Sequence, residues 1–243
     1  LDFKMRDLNQ QILKFSYEKN FKNDDFYITK SNKHIFDLLN IWPKWEKNFL
    51  NINGENFSGK THLINIFLEK FKGISFNARK FDNNNLKSIK IHQNIILEDL
   101  TKNINEKLIF TLINIIEQDN KYLIITSKEP IVNIVFDLID LRSRTKNFLL
   151  QNIEKPDDYL MFALLLKNFS DRQILIDKKL INYTINRIDR SYGKIFDFID
   201  LRSRCKNFLL QNIEKPDDDL MHALLLKNFS DRQILIDKKL INY

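Results

Sequence analysis

An eight-residue run in the first quarter of the chain has the spacing of a phosphate-binding loop. Gly54, Gly59, Lys60 and Thr61 fit the pattern G-x-x-x-x-G-K-[ST]. In such a loop the glycines let backbone N–H groups curl around phosphate oxygens, and the lysine reaches the β- and γ-phosphates. The pattern predicts that Gly54, Ser58, Gly59, Lys60 and Thr61 bind ADP or ATP, with Thr61 also a ligand of Mg²⁺. The alternative is a glycine-containing turn between a strand and a helix.

Two acidic residues, Glu98 and Asp99, end an apolar run that begins at Ile95. At the carboxyl end of a buried parallel strand, such acids face the nucleotide crevice. We expect Glu98 to organise Mg²⁺ and its water, and the neighbouring Asp99 to polarise an attacking water, so both are candidate catalytic residues. The alternative is a strand with an acidic end, which is common in α/β folds.

Two further polar segments could contact phosphates. Thr126 and Ser127 end a later apolar run, where Ser127 is expected to sense a γ-phosphate, although Ser and Thr end many strands. Leu141–Arg144 is expected to follow a helix, and the planar fork of a guanidinium suits a phosphate clamp. At a subunit edge such an arginine acts on the nucleotide of a neighbour. The alternative for this segment is a solvated basic turn.

These residues need a framework of alternating strands and helices. Apolar spacing predicts strands at 49–53, 74–77, 94–99, 122–127 and 147–151, and helices at 61–71 and 104–118. Beyond residue 156 it predicts only helices, at 157–169, 177–188 and 190–200. The alternation predicts an α/β fold, a parallel sheet covered by helices, followed by a small helical lid.

The most unusual feature is an internal repeat. Residues 196–243 match residues 136–183 at 44 of 48 positions. Two copies are too few for a solenoid, so the repeat indicates a recent duplication or an assembly artefact. The strand 147–151 and its copy 207–211 would suit the same place in the sheet, and we expect the first copy to occupy it.

Composition limits the class of protein. The 243 residues carry a net charge of +7, but lysine is abundant together with Asn, Ile and Phe, which indicates an AT-rich genome rather than DNA binding. The one cysteine, Cys205, excludes an internal disulfide framework and a cysteine zinc site. No apolar run reaches the 18 or so residues of a membrane-spanning helix. We expect a cytoplasmic protein. The start at Leu1 indicates either a fragment or a trimmed start, and the end at Tyr243 indicates truncation relative to the first copy.

Taken together, the segments resemble the DnaA-type branch of the AAA+ ATPases, and within it the Hda-type regulatory inactivators of α-proteobacteria. The resemblance covers about residues 5–200. It rests on the W-P-x-W stretch at 42–45, the P-loop that runs into His62 and Leu63, the Glu-Asp order at 98–99, the strand and turn at 123–130, the L-x-S-R element at 141–144, and the lid at 156–196.

The resemblance implies a P-loop AAA+ sheet and a function for two further segments. Arg144 matches the arginine finger of the family. Gln10, Leu13 and Phe15 resemble the Q-x-x-L-x-[FL] peptide that docks such proteins on the DNA polymerase sliding clamp, which an extended chain does by filling an apolar groove. An amphipathic terminal segment is the alternative. Lys128 stands where initiators often have Asp, and Gly193 stands where the lid arginine is expected.

The sequence therefore predicts four regions: 1–30 with the clamp-binding peptide, a nucleotide-binding α/β domain at 31–153, a lid at 154–200, and a partial copy at 201–243. The leading hypothesis is a regulator of replication initiation that promotes hydrolysis of initiator-bound ATP. Its partners would be the initiator, the clamp and, indirectly, DNA, with no membrane; a homo-oligomer stays open. The alternatives are a Mg²⁺-dependent ATPase acting on DNA and a non-functional duplicated fragment.

Overall fold

A computed structural model describes residues 26–200 apart from residues 173 and 175. The clamp-binding candidates Gln10, Leu13 and Phe15 lie outside the described residues, as does the second copy beyond residue 200. Within the described part of the chain, no helix is long and apolar enough to cross a membrane.

Five parallel strands form one sheet in the order β2-β3-β4-β1-β5. They are β1 (Phe49–Asn53), β2 (Ile74–Asn77), β3 (Asn94–Leu100), β4 (Tyr122–Ser127) and β5 (Leu149–Asn152). The predicted parallel sheet is confirmed, and the first copy supplies β5, which pairs with β1. β5 begins two residues later than predicted because Asn147 and Phe148 instead donate backbone hydrogen bonds to Arg144 and Thr145, which completes a turn.

Eight helices accompany the sheet in the described residues. They are α1 (Lys33–Asn40), α2 (Lys60–Phe71), α3 (Asn83–Ile89), α4 (Glu106–Gln118), α5 (Ile139–Thr145), α6 (Asp158–Asp171), α7 (Lys178–Ile185) and α8 (192–200). The prediction that Leu141–Arg144 follows a helix is wrong, because these residues lie inside α5. α1, α3 and α5 have only seven or eight residues, too few for a clear helical period.

Alternate residues of the strands divide the core into two layers. Leu50, Ile52, Ile96 and Ile124 pack with α1 and α2 on one side, which we call the α2 face. Phe49, Ile95, Leu97, Leu123 and Ile125 pack with α3, α4 and α5 on the other, the α4 face. The three central strands β1, β3 and β4 are therefore buried on both sides, as their continuous apolar sequences predict.

A third cluster lies in the lid, residues 154–200. It is formed by α6, α7 and α8, with Met161, Phe169 and Ile199 among its buried members. Tyr192, the first residue of α8, belongs instead to the cluster on the α2 face and is 2% exposed. The start of α8 is thus anchored in the core beside the carboxyl end of the sheet.

Candidate functional site

The predicted phosphate-binding loop connects the end of β1 to the start of α2. The backbone N–H of Gly54 donates to the carbonyl of Ser127 at 3.2 Å, which ties the loop to β4. A Cβ at Gly54 would lie 2.9 Å from the Ser58 hydroxyl oxygen and 3.1 Å from Cβ of Ile153. Gly59 has φ of +93°, a conformation that side chains disfavour. Both glycines of the pattern therefore stand where the backbone requires them.

Lys60 lies inside this loop and is 8% exposed. Its Nζ donates to the carbonyls of Gly54, at 2.7 Å, and Glu55, at 2.8 Å. Burial lowers the pKa of Lys60, and the carboxylates of Asp99 and Glu55 oppose the shift. A buried ammonium gains from a nearby anion. The loop therefore offers a cation that a phosphate would stabilise.

Two other loop positions, Ser58 and Thr61, differ in exposure. The Ser58 hydroxyl is buried and has no hydrogen-bond partner among the described residues. Thr61 is exposed in the first turn of α2. Thr61 therefore follows Lys60 at the surface of the loop.

The two acids end β3 at the same edge of the sheet but differ in conformation. By alternation from Ile96, Glu98 lies on the α2 face, and its Oε1 accepts a hydrogen bond from the Ser75 hydroxyl of β2 at 2.6 Å. Asp99 has φ of +58° and lies in an irregularity of the β3–β4 ladder between Leu97 and Leu100. The charge of Asp99 opposes the lowering of the pKa of Lys60, and the backbone N–H of Asp99 donates to Thr126 Oγ1 at the end of β4.

The end of β4 presents two hydroxyls to opposite faces of the sheet. Thr126 follows Ile124 on the α2 face, and its Oγ1 accepts from the backbone N–H of Asp99 at 3.0 Å. Ser127 follows Ile125 on the α4 face, where its hydroxyl donates to the Glu129 carbonyl at 2.6 Å and accepts from Asn51 at 2.9 Å. The hydroxyl of Ser127, the residue expected to sense a γ-phosphate, thus lies on the side of the sheet away from α2, because neighbouring side chains alternate across a pleated strand.

Three residues of the candidate site offer oxygen atoms of the kind that magnesium binds. Thr61, Glu98 and Asp99 supply a hydroxyl and two carboxylates, the hard oxygen donors that Mg²⁺ prefers. Among the described residues no group of three or more His, Cys, Asp or Glu side chains forms a metal site.

Arg144 lies apart from these groups, near the end of α5. Its guanidinium pairs with the carboxylate of Glu117 on α4, and the two side chains are 35% and 48% exposed. The structure therefore does not bring Arg144 to the loop of its own chain. It places this arginine at the surface, in an ion pair that water can reach.

The lid contacts the loop through residues to which the sequence analysis assigned no role. The Glu55 carboxylate accepts hydrogen bonds from the Ser191 hydroxyl and from the Tyr192 backbone N–H. Phe57 stacks on Phe196 of α8 with ring centroids 4.7 Å apart. No role was assigned to Glu55 and Phe57 from the sequence because they occupy variable positions of the P-loop pattern, where any residue type fits. Arg190, three residues before Gly193, pairs with Asp158 at 2.9 Å.

Solved structures share the fold of this chain. Domain III of DnaA from Thermotoga maritima has a TM-score of 0.65 at 17% identity, over 86% of this chain and 96% of that one. The fold is that of a P-loop AAA+ domain. AMPPCP-bound DnaA from Aquifex aeolicus (TM-score 0.56, 17% identity, 79% and 71% covered) and the Holliday junction branch migration motor RuvB from T. maritima (0.60, 13%, 87% and 72%) have the same AAA+ fold.

Sequence comparison points in the same direction. The chain is 25% identical over 237 residues to the chromosomal replication initiator protein DnaA of Borreliella afzelii, an alignment that covers 80% of this chain and 49% of that protein. The chain thus spans about half the length of this relative. No protein-family model matches. The sequence and the fold together show DnaA-like AAA+ homology.

Proposed function

We propose that this chain is a nucleotide-binding regulator of chromosome replication initiation that promotes hydrolysis of initiator-bound ATP. The observation that carries the proposal is the meeting of the P-loop, the acids of β3 and the end of β4 at one edge of a DnaA-like AAA+ sheet. In this proposal residues 31–153 bind the nucleotide, 154–200 form its lid, and the protein acts in the cytoplasm.

The nucleotide would be ADP or ATP, held by the loop residues Gly54, Ser58, Gly59, Lys60 and Thr61. Support comes from the buried ammonium of Lys60 and from the start of α2, whose N-terminus favours an anion. Mg²⁺ would neutralise phosphate charge and be held by Thr61 and Glu98. Thr126 is the better placed hydroxyl of β4 for a role at this site, since it lies on the α2 face and bonds to Asp99.

Arg144 would act on the nucleotide of the initiator rather than on its own. A guanidinium placed at a subunit edge stabilises the charge of a phosphoryl group in transfer. The pair with Glu117 does not prevent this, because half-exposed ion pairs contribute little to stability and exchange readily for a better anion. The reaction would then take place in the partner, and the chain would supply one positioned cation.

Docking on the sliding clamp would bring the chain to replicating DNA. The proposal assigns this to Gln10, Leu13 and Phe15, which are outside the described residues, so it rests on their spacing alone. The partners are accordingly the initiator and the clamp, with DNA contacted only indirectly.

Hydrolysis of initiator-bound ATP on clamp-loaded DNA, with and without the full chain, tests the proposal. The repeat provides a matched control, since Arg204 is the counterpart of Arg144 in the second copy. We expect Arg144→Ala to lose most of the stimulation and Arg204→Ala to keep it. Equal loss in both variants, or stimulation by neither the wild type nor Arg204→Ala, would contradict the finger assignment.

A second candidate is a Mg²⁺-dependent ATPase that acts on DNA by its own turnover. The observation in its favour is the place of Asp99 at the carboxyl end of β3, where its backbone N–H donates to Thr126 at the end of β4, the strand next to the one that leads into the loop of the same chain. ATP hydrolysis by the chain alone that is lost in Asp99→Asn and Glu98→Gln would support this candidate. Turnover that persists in both variants would exclude Glu98 and Asp99 as its catalytic residues, and no turnover by the wild-type chain would exclude this candidate.

A further inference from the structure

Glu55 is the residue that contacts both the phosphate-binding loop and the lid. Its backbone carbonyl accepts from Lys60 Nζ at 2.8 Å. Its carboxylate Oε2 accepts from the Ser191 hydroxyl at 2.8 Å and from the Tyr192 backbone N–H at 3.1 Å. A single residue thus connects the cation of the loop to the first turn of α8.

The carboxylate of Glu55 takes the position that an anion favours at a helix N-terminus. α8 begins at Tyr192, whose N–H has no carbonyl of its own helix to bond to. The dipole of the helix adds to the attraction. Tyr192 is in turn buried in the core on the α2 face, and its hydroxyl donates to the Glu154 carbonyl at 3.2 Å. The contact therefore fixes the lid where it meets the core.

The backbone carbonyl of Glu55 bonds to Lys60 Nζ, so its carboxylate belongs to the same short loop as the ammonium, and its charge opposes the lowering of the pKa of Lys60. The phosphates of a nucleotide bound at the loop would be a second anion beside Lys60. Two anions near one cation repel each other, and this repulsion is strongest where water is scarce. Phosphates and the Glu55 carboxylate would therefore compete for Lys60, although they occupy different places.

We propose that Glu55 is a positioning residue that couples the lid to the phosphates, so that polyphosphate binding weakens the hold of the loop on α8. This inference rests on the proposed nucleotide binding and goes beyond it, because it states how occupancy is transmitted to the lid. Coupling is reciprocal, so removal of the carboxylate charge strengthens polyphosphate binding. The loop carries the change to residues 192–200 through Glu55 and through the Phe57–Phe196 stack.

The test compares Glu55→Gln with the wild-type full chain, by calorimetric titration with ADP and with the non-hydrolysable analogue AMPPCP. Glutamine keeps the size and one acceptor oxygen but removes the charge. We expect AMPPCP to bind about five-fold more tightly to Glu55→Gln, the lower end of measured couplings, with a smaller gain for ADP. Glu46→Gln is the matched control, because Glu46 is an exposed residue that precedes β1 in the chain and its substitution removes the same charge.

Hydrogen exchange of the amides in 192–200 gives a second readout. AMPPCP should speed exchange at the start of α8 in the wild type, whereas in Glu55→Gln exchange should be fast already and change little on binding. Faster exchange in Glu55→Gln with unchanged affinity would reduce Glu55 to a structural contact and overturn the proposal. Weaker AMPPCP binding by Glu55→Gln would also overturn it.

Phe57→Asn separates charge from packing. Phe57 has φ of +66°, which asparagine tolerates, and the change removes the stack on Phe196 without altering charge. The proposal expects a smaller gain in AMPPCP affinity than Glu55→Gln gives. An equal gain would show that loosening of the lid is sufficient and would overturn the competition between anions. If the wild type binds neither nucleotide, the proposed function itself fails, and this outcome is distinct from all the others.

Discussion

Residues 136–140 and 196–200 differ in sequence at one position yet have different structures. In the first copy residues 136–138 are not helical, and α5 begins only at Ile139. In the second copy all five residues lie within α8. The environments differ as much as the backbones, because Ile139 is 71% exposed whereas its counterpart Ile199 is fully buried.

The cause lies outside the five residues. In the first copy the carboxylate of Glu106 accepts hydrogen bonds from the backbone N–H groups of Asp137, at 2.9 Å, and Leu138, at 2.7 Å. Phe136 is drawn into the core of the α4 face. In the second copy the helix has already begun at Tyr192, so the following residues extend an existing helix, which is easier than starting one. Tertiary contacts therefore decide between two conformations that this sequence accepts.

The largest effect should come from the same substitution made at the matched positions Ile199 and Ile139. Ile199→Ala removes a fully buried side chain from the lid core and should cost about 2–5 kcal/mol of lid stability. Ile139→Ala removes a mostly exposed one and should stay within about 0.5 kcal/mol. Chemical unfolding of the full chain, with hydrogen exchange of α6 and α8, measures both.

Equal costs at Ile139 and Ile199 would mean that the two copies share one environment, and the comparison would fail. A loss of stability at Ile199 that is confined to the lid would further show that the lid can unfold while the sheet stays intact, as its separate apolar cluster suggests.

The next effect concerns Glu106, which holds the non-helical conformation of residues 136–138 in the first copy. Glu106→Ala leaves two backbone donors without their acceptor and should cost about 1–3 kcal/mol, since hydrogen bonds to charged groups are the stronger ones. Exchange should rise across 136–145 and stay unchanged across 192–200. Lys107→Ala, at an exposed neighbouring position of α4, is the control. Unchanged exchange at Asp137 and Leu138 would show that the core alone holds this segment.

Much of the fold was predictable from sequence because apolar spacing is strong wherever an element is buried. β1, β2 and β4 have the predicted bounds, and α2 begins one residue before the predicted helix. Short elements escaped the prediction because other signals define them. α3 is fixed by the side chain of Asp82, which caps it together with Asn85, and α5 depends on the distant Glu106.

The sequence predicted which residues form the candidate site, but it predicted less well on which side of the sheet their side chains lie. The motif placed Lys60 and the acids of β3 at one edge of the sheet, because the carboxyl ends of parallel strands meet there. The irregularity at Asp99 and the side of the sheet that Ser127 faces depend on the local register. The role of Glu55 could not be read from the chain, since its partners, Ser191 and Tyr192, are more than 130 residues away.

A sharper test exchanges the residue types at positions 138 and 198, the one pair that differs between segments 136–140 and 196–200. Phe198 is buried in the lid and meets Phe169 edge to face at 6.0 Å, whereas Leu138 is half-buried. Phe198→Leu should cost about 1 kcal/mol through loss of the ring contact, and Leu138→Phe should cost less. Circular dichroism and exchange should show that neither segment changes its secondary structure. A helix that begins before residue 138 in Leu138→Phe would mean that the side chain, rather than its surroundings, sets the conformation.

The smallest effect should come from Glu117, which holds Arg144 at the far end of α5. Glu117→Gln should change the free energy of unfolding by less than about 1 kcal/mol, because both side chains are partly exposed and salt screens the pair. Any loss should vanish as ionic strength rises. If Arg144 acts on a partner, the same variant should keep or increase stimulation of initiator-bound ATP hydrolysis, because the guanidinium no longer has to leave a carboxylate. Stimulation lost in Glu117→Gln would instead make Glu117 part of the surface that the partner needs, and α5 would then serve recognition as well as charge.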